Sequence, residues 1–204
     1  MPLQVIGIRH GEVHNPKEVI YSGLPGYGLS EKGRGQAAAV AEALRDAPIA
    51  ALYASPLERA VETASFIAER TGAEIVEDVR LHEWLHWAQW AGMTWDELRT
   101  EGREAWDRYT TDPGSVTSGE SLDELADRMD DWLGDVVRDH TDGVVVAVTH
   151  LEPLRAILLR KLGRPAGHLF QLQISQCEVV RLHPQADATP VGPDALSGPT
   201  GGRV

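Results

Sequence analysis

Short apolar runs alternate with amphipathic stretches along most of the chain. The runs at 3–9, 49–54 and 74–77 predict strands, and the continuous run at 144–149 predicts a strand buried on both faces. In between, apolar residues recur at helical spacing. Helices are predicted over about residues 31–46, 55–70, 121–140 and 153–162. Strands that alternate with helices indicate a layered α/β fold with a mostly parallel sheet.

Capping signals indicate where several of the helices begin. Ser30 is a predicted helix N-cap, and Ser55–Glu58 and Ser121–Glu124 both have the pattern of a capping box. The Trp-rich segment 80–112 predicts mostly helix and loop over the sheet edge. Two final strands are predicted, at 169–174 and 178–182.

Composition limits the classes of protein that fit. The 204 residues predict one domain over 1–183, followed by a Pro/Gly-rich tail at 184–204. A net charge of −12 argues against nucleic acid and against an anionic membrane as partners. A local group of Arg and His can still bind phosphate on a negative protein. The N-terminus lacks a leader pattern and no apolar run has the length of a membrane-spanning helix, which predicts a cytoplasmic protein.

Four candidate functional residues fall where a strand ends or a helix begins. Arg9 and His10 follow the first strand, Arg59 lies at the start of the helix after the second strand, and His150 ends the strongest strand. Each alone is equally compatible with a structural role. Because the carboxyl ends of parallel strands share one edge, we expect all four to converge there. Two guanidiniums and two imidazoles would form a site for a dianion.

Five sequence blocks, in order over about 3–160, resemble the histidine phosphatase superfamily, the phosphoglycerate-mutase-like proteins. The blocks are Arg9-His10-Gly11-Glu12, Ser22-Gly23 with Leu29–Gln36, Ala54–Ala60 with Thr63-Ala64, Gly119-Glu120-Ser121 and Val148-Thr149-His150. The resemblance implies the phosphoglycerate-mutase-like fold, three layers with a mostly parallel central sheet flanked by helices. After His150 the family commonly has glycine, whereas here Leu151-Glu152 adds side chains near the pocket mouth.

The resemblance also implies a metal-independent phosphatase that needs no cofactor. His10 would become phosphorylated, Glu83 would be the proton donor, and His150 would be the second catalytic histidine. The phosphoryl group would be held by His150 with Arg9 and Arg59, in a pocket also lined by Asn15, Ser22 and Gly23. The expected substrate is a small phosphate ester.

The sequence is also compatible with other functions. A cofactor-dependent phosphoglycerate mutase is the alternative within the family, although the segment between Glu83 and Gly119 lacks the insertion expected of that enzyme. His82–His86 also matches the H-E-x-x-H signature of zinc hydrolases, and a non-catalytic phospho-ligand binder is a third class. The sequence leaves the identity of the ester and the oligomeric state open, a homo-oligomer included.

Overall fold

The computed structural model describes residues 1–183, and the predicted tail at 184–204 lies outside this range. Its strands are β1 (Gln4–Arg9), β2 (Ile49–Ala54), β3 (Ile75–Glu77), β4 (Val144–Thr149) and β5 (Val179–His183). Its α-helices are α1 (Glu31–Leu44), α2 (Glu58–Thr71), α3 (Trp95–Glu101), α4 (Arg103–Thr111), α5 (Leu122–Asp139) and α6 (Leu151–Lys161). Short 3₁₀ helices cover Val79–Leu81, Leu85–Trp90, Pro113–Ser115 and Ala166–Gln171.

The described strands form one sheet in the order β3-β2-β4-β1-β5. β4 lies at its centre, parallel to both β1 and β2, and β5 runs antiparallel along β1. The prediction of a mostly parallel sheet is therefore confirmed. The central position of β4 explains its sequence, because every one of its residues is buried.

Helices cover both faces of the sheet, as the three-layer prediction requires. Alternate strand residues contribute to two separate hydrophobic clusters, so Ile6 and Val146 pack with α1 and α2. Val5 and Val145 belong to the cluster that contains α5 and α6. Gly7 allows α6 to pack close to β1, because a Cβ at this position would clash with the side chain of Leu154.

Three local predictions were wrong in detail. Residues 169–174 do not form a strand: the 3₁₀ helix that ends at Gln171 and an extended segment take their place. The first capping box does not form, because α2 is capped at Leu57 without a side-chain bond. α6 begins two residues earlier than Pro153, directly after His150. The predicted box at Ser121–Glu124 is present with both of its hydrogen bonds.

The helices found between residues 1 and 183 are each too short or too polar for a transmembrane span.

Candidate active site

Sheet register brings the ends of three strands together. Arg9 pairs with Thr149 at the last step of the β1–β4 ladder. Beyond it, His10 N donates to Thr149 O at 2.9 Å, and Ser55 N donates to Val148 O at 2.9 Å. Backbone hydrogen bonds thus hold His10, Ser55 and His150 side by side at one edge of the sheet, as expected for carboxyl strand ends.

The imidazole of His10 is held in one tautomer. Its Nδ1 lies 2.7 Å from the carbonyl oxygen of Gly11, which can only accept, so Nδ1 carries the proton. Nε2 therefore has a free lone pair, and it accepts a long hydrogen bond from Arg59 Nε at 3.3 Å. Burial lowers the pKa of His10 well below its ordinary value, and the positive charge of Arg59 lowers it further. His10 is thus neutral at physiological pH.

Two guanidiniums lie beside His10. Arg59 is buried at the start of α2, under the ring of Tyr21 at 4.7 Å, and its Nη2 has no hydrogen-bond partner within residues 1–183. Arg9 donates from Nη1 to Ile174 O at 2.7 Å, while its buried Nε is unpaired in the same range. Burial lowers the pKa of both arginines. One buried and one half-buried cation, each with an unused buried donor, are typical of a site for an anion.

Thr63 joins α2 to the loop that follows β1. Its hydroxyl accepts from Gly11 N at 3.1 Å and donates to Arg59 O at 2.7 Å. The link fixes the distance between the two chain segments that supply His10 and Arg59.

His150 lies behind His10 and is fully buried. The two imidazole rings are 5.1 Å apart at an interplanar angle of 60°. His150 Nε2 and Ser55 Oγ are 2.7 Å apart, and Ser55 Oγ also accepts a long hydrogen bond from Leu57 N at 3.4 Å, so the Ser55 hydroxyl faces His150 and does not cap α2 as predicted. Burial, with the charge of Arg59, lowers the pKa of His150 well below its ordinary value. Sequence reasoning missed Ser55 as a site residue; the signal is its position just beyond the end of β2.

Glu83 is presented from an irregular segment that α5 and the Gly119–Ser121 block hold in place. Arg128 donates to the backbone oxygen of Glu83 at 3.2 Å and to both carboxylate oxygens of Glu120, at 2.6 and 3.0 Å. Trp84 Nε1 donates to Glu120 O at 2.9 Å. The block that resembled a family element therefore positions Glu83 through its backbone.

The carboxyl group of Glu83 has a strongly shifted acidity. Its enclosure in the cavity raises the pKa to about 7, and the negative charge of Glu152 contributes to the rise. The hydrogen bond from Trp84 N to Glu83 Oε1 at 2.8 Å and the charges of Arg59 and Arg9 oppose it. A carboxyl with this pKa can both donate and accept a proton near neutral pH.

One cavity of about 310 Å³ lies beside His10. Of the predicted site residues, the cavity wall contains Arg9, His10, Ser22, Arg59 and Glu83, whereas His150 is fully buried behind His10 and is not part of the wall. Further side chains in the wall are Ile20, Tyr21, Trp87, Trp95, Tyr109, Leu151, Glu152 and Arg155. Ser22 is buried, has a φ of 23° and leaves its Oγ without a partner among the described residues.

Two residues predicted to line the pocket, Asn15 and Gly23, lie elsewhere. The side-chain amide of Asn15 is engaged with the backbone of Val19, donating to its O at 2.8 Å and accepting from its N at 3.2 Å. Gly23 is exposed near the ring of His82 and is absent from the cavity wall, as is Asn15. Glu12, the carboxylate nearest to His10 in sequence, is not in the cavity wall either, and it accepts hydrogen bonds from Lys32 at 2.6 Å and Ser30 at 2.9 Å.

The H-E-x-x-H match does not form a zinc-binding helix. His82 ends one 3₁₀ helix with extended backbone, and His86 lies within the next one. His82 faces His150 at 6.4 Å between ring centroids, whereas His86 Nδ1 is 2.9 Å from Ser118 Oγ. Over residues 1–183, no group of three or more His, Cys, Asp or Glu side chains is arranged to hold a metal ion.

Comparison with known proteins matches these features to one family. The sequence pattern of the histidine phosphatase superfamily (branch 1) matches residues 5–191. Phosphoserine phosphatase 1 of Hydrogenobacter thermophilus is 33% identical over 79% of this chain and 77% of its own. The probable phosphoglycerate mutase GpmB of Enterobacter sp. (strain 638) is also 33% identical, over 88% of this chain and 84% of its own. A mycobacterial glucosyl-3-phosphoglycerate phosphatase has a similar structure, with a TM-score of 0.76 and 26% identity over 87% of this chain and 88% of that one.

Proposed function

The chain belongs to the histidine phosphatase superfamily, and we propose that it is a phosphomonoesterase that hydrolyses a small phosphorylated metabolite through a phosphohistidine on His10. The comparisons support phosphatase activity, because similar proteins include a phosphoserine phosphatase and a glucosyl-3-phosphoglycerate phosphatase. A cavity of about 310 Å³ favours a small ester, since it is at the lower end of the roughly 300–1,000 Å³ that ligand pockets span.

One observation carries the proposal: a neutral imidazole whose unprotonated Nε2 accepts only a long hydrogen bond from Arg59, beside two guanidiniums that each have a buried donor without a partner among residues 1–183. A simple phosphate-binding site has no need of a neutral imidazole with a fixed tautomer. A nucleophile does need it, because only the unprotonated nitrogen can attack phosphorus. This argues against a non-catalytic phospho-ligand binder.

In the first step, His10 Nε2 attacks phosphorus and the bond from phosphorus to the ester oxygen breaks. Arg9, Arg59 and His150 stabilise the charge on the three equatorial oxygens, and the Nδ1 proton stays on the ring, hydrogen-bonded to the Gly11 carbonyl. Glu83 gives its proton to the departing oxygen, so that an alcohol leaves.

In the second step, water attacks phosphorus and the nitrogen–phosphorus bond breaks, which returns the electron pair to His10 Nε2. Glu83, now a carboxylate, takes the proton from the attacking water and is ready for the next cycle. The two guanidiniums match the two negative charges of the phosphate, so we propose that the reaction needs no metal ion.

A mutase reaction differs only in the acceptor of the phosphoryl group. In a cofactor-dependent phosphoglycerate mutase the phosphohistidine would pass its group to a phosphoglycerate instead of water. The similarity to a probable phosphoglycerate mutase keeps this as the second candidate. The mutase function would be favoured if phosphate moved between the 2- and 3-positions of phosphoglycerate faster than inorganic phosphate was released.

Trapping the covalent intermediate tests the proposal. Brief mixing with ³²P-labelled ester, followed by denaturation, should leave label on the wild-type chain that acid removes and base does not. His10→Ala should carry no label, and unchanged circular dichroism would show that the variant is folded. Label retained by folded His10→Ala would overturn the assignment of the nucleophile.

A further inference from the structure

Tyr21 adds a hydroxyl group to the wall of the cavity that contains His10 and Arg59. It lies in the loop between β1 and α1, next to Ser22, and its ring packs on the Arg59 guanidinium at 4.7 Å. Arg59 in turn donates to His10 Nε2 at 3.3 Å. Tyr21 is thus in contact with the arginine that touches the proposed nucleophile.

Contacts on the ring and on the neighbouring backbone hold Tyr21 in place. The ring of Tyr27 stacks on that of Tyr21, with centroids 5.3 Å apart and an interplanar angle of 20°. The preceding residue is fixed to a distant segment, because Ile20 N donates to Met93 O at 2.7 Å. A side chain restrained in this way binds a ligand at a lower entropic cost than a mobile one does.

The hydroxyl of Tyr21 is a donor that the protein leaves unused. It makes no hydrogen bond within residues 1–183, and it is not among the enclosed polar atoms that lack a partner there. Burial raises the pKa of Tyr21 above its ordinary value, against the charges of Arg59 and Arg9, so the hydroxyl keeps its proton at neutral pH. A neutral, accessible O–H in the cavity wall can donate to a bound ligand.

The charges around this hydroxyl indicate which part of a substrate it meets. Arg59, Glu83 and Arg9 all act on the pKa of Tyr21, and Tyr21 acts in turn on the pKa of both arginines. Because Coulomb interactions weaken with distance, the hydroxyl lies near both guanidiniums. A phosphoryl group held by the two guanidiniums would therefore present an oxygen to it.

We propose that Tyr21 is a further catalytic residue, whose hydroxyl donates a hydrogen bond to a non-bridging oxygen of the phosphoryl group. The inference rests on the proposed phosphatase function and adds a fourth side chain to Arg9, Arg59 and His150. The proton stays on the Tyr21 oxygen throughout, because Glu83 is the group that exchanges protons. A neutral donor suits this position, since the two guanidiniums already balance the two charges of the phosphate.

Binding of inorganic phosphate tests the contact without any turnover. Tyr21→Phe removes the hydroxyl and keeps the ring on Arg59. By calorimetry, the variant should bind inorganic phosphate about tenfold to a hundredfold more weakly than wild type, the effect of one hydrogen bond to a charged group. The matched control is Tyr53→Phe, which removes a hydroxyl from β2 outside the cavity wall and should keep the wild-type affinity. Unchanged affinity in Tyr21→Phe would overturn the proposal.

Kinetics distinguish contact with the phosphoryl group from contact with the leaving group. In Tyr21→Phe, kcat/KM should fall by a similar factor for p-nitrophenyl phosphate and for an alkyl phosphate, because both esters have the same phosphoryl group. A fall for one ester only, with unchanged affinity for phosphate, would assign the hydroxyl to the leaving group and overturn the proposal. The proposal is also wrong if Tyr21→Phe behaves as wild type and only Tyr21→Leu is impaired, because the ring alone would then matter.

The two proposals can fail separately. If Tyr21→Phe binds phosphate more weakly than wild type but His10 carries no label, Tyr21 remains a phosphate contact and the phosphohistidine is refuted. If His10 is labelled in both proteins and their affinities for phosphate are equal, the phosphatase stands and the role of Tyr21 is refuted.

Discussion

Replacement of Glu83 by Gln removes the proposed acid with little change of shape. The amide oxygen of the new side chain can still accept the hydrogen bond that Trp84 N donates to Oε1 at 2.8 Å, and the Arg128 contact to the backbone of residue 83 does not depend on the side chain. The amide cannot protonate a leaving oxygen. The variant therefore isolates proton transfer from the positioning of this segment.

The size of the effect depends on the leaving group. An alkyl alcohol leaves poorly as an alkoxide, so loss of the acid should slow phosphorylation of His10 by an alkyl phosphate by roughly 10²–10⁴. A nitrophenolate is stable without a proton, and phosphorylation by p-nitrophenyl phosphate should change little. The pre-steady-state burst is the appropriate assay, because Glu83 should also activate water in the second step and steady-state turnover would combine both effects.

The pKa of Glu83, raised to about 7, predicts the pH dependence of the same burst. The acid role needs the protonated form, which is present below the pKa and lost as pH rises through it. The ratio of alkyl to aryl phosphorylation rates should therefore be constant at low pH and fall about tenfold per pH unit above roughly pH 7, because Glu83 then loses its proton. Above roughly pH 7 both esters are mainly dianions, so titration of the phosphate contributes little to the ratio in the range where the fall is expected.

Two outcomes would refute this reasoning. Equal slowing of alkyl and aryl bursts in Glu83→Gln would mean that Glu83 positions phosphate or supports the fold, and Glu152 would be the next acid to test. If the alkyl-to-aryl ratio of the wild-type protein stays constant across pH 7, Glu83 is not the acid that protonates the leaving group. Glu69→Gln, an exposed change of the same chemistry on α2, should leave both bursts as in wild type.

The remaining predictions concern the phosphate clamp and metal. Arg59→Lys should lose activity on all esters by at least about tenfold despite the retained charge, because an ammonium cannot reproduce the planar fork beside His10; unaltered kinetics would place Arg59 outside the reaction. Activity should survive excess chelator, as measured by phosphate release after dialysis, because Arg9 and Arg59 balance the phosphate charge; stoichiometric bound metal together with chelator-sensitive activity would refute a metal-independent reaction.

The parts of the site that could be predicted from sequence are those encoded by position along a strand. Arg9, His10 and His150 lie where buried runs end, and parallel pairing at one edge brings such residues together. Arg59 was predictable for the same reason, since it lies in the first turn after β2. Local patterns contain this information, and no long-range contact has to be known to find it.

The residues that sequence reasoning missed depend on how distant segments pack. Tyr21 and Tyr109 come from a loop and from α4, and nothing local distinguishes them from core aromatics. Ser55 was misassigned because a Ser three residues before a Glu is a good cap signal. Its hydroxyl bonds His150 instead, a partner 95 residues away that only the β2–β4 register brings within reach.

The early start of α6 determines how Glu152 acts on the acidity of Glu83. Had the helix begun at Pro153, residues 151 and 152 would have been loop, and Arg155 would have lain in the first turn with no partner at 152. Because α6 begins at Leu151, Glu152 and Arg155 are three apart on one helical face and can pair at 3.2 Å. The Glu152 charge then raises the pKa of Glu83, while Tyr109 and Arg155 hold the Glu152 carboxylate in place. Replacement of Glu152 by Gln removes that charge, so the pKa of Glu83 should fall and the pH-dependent drop of the alkyl-to-aryl burst ratio should move to lower pH in the same assay.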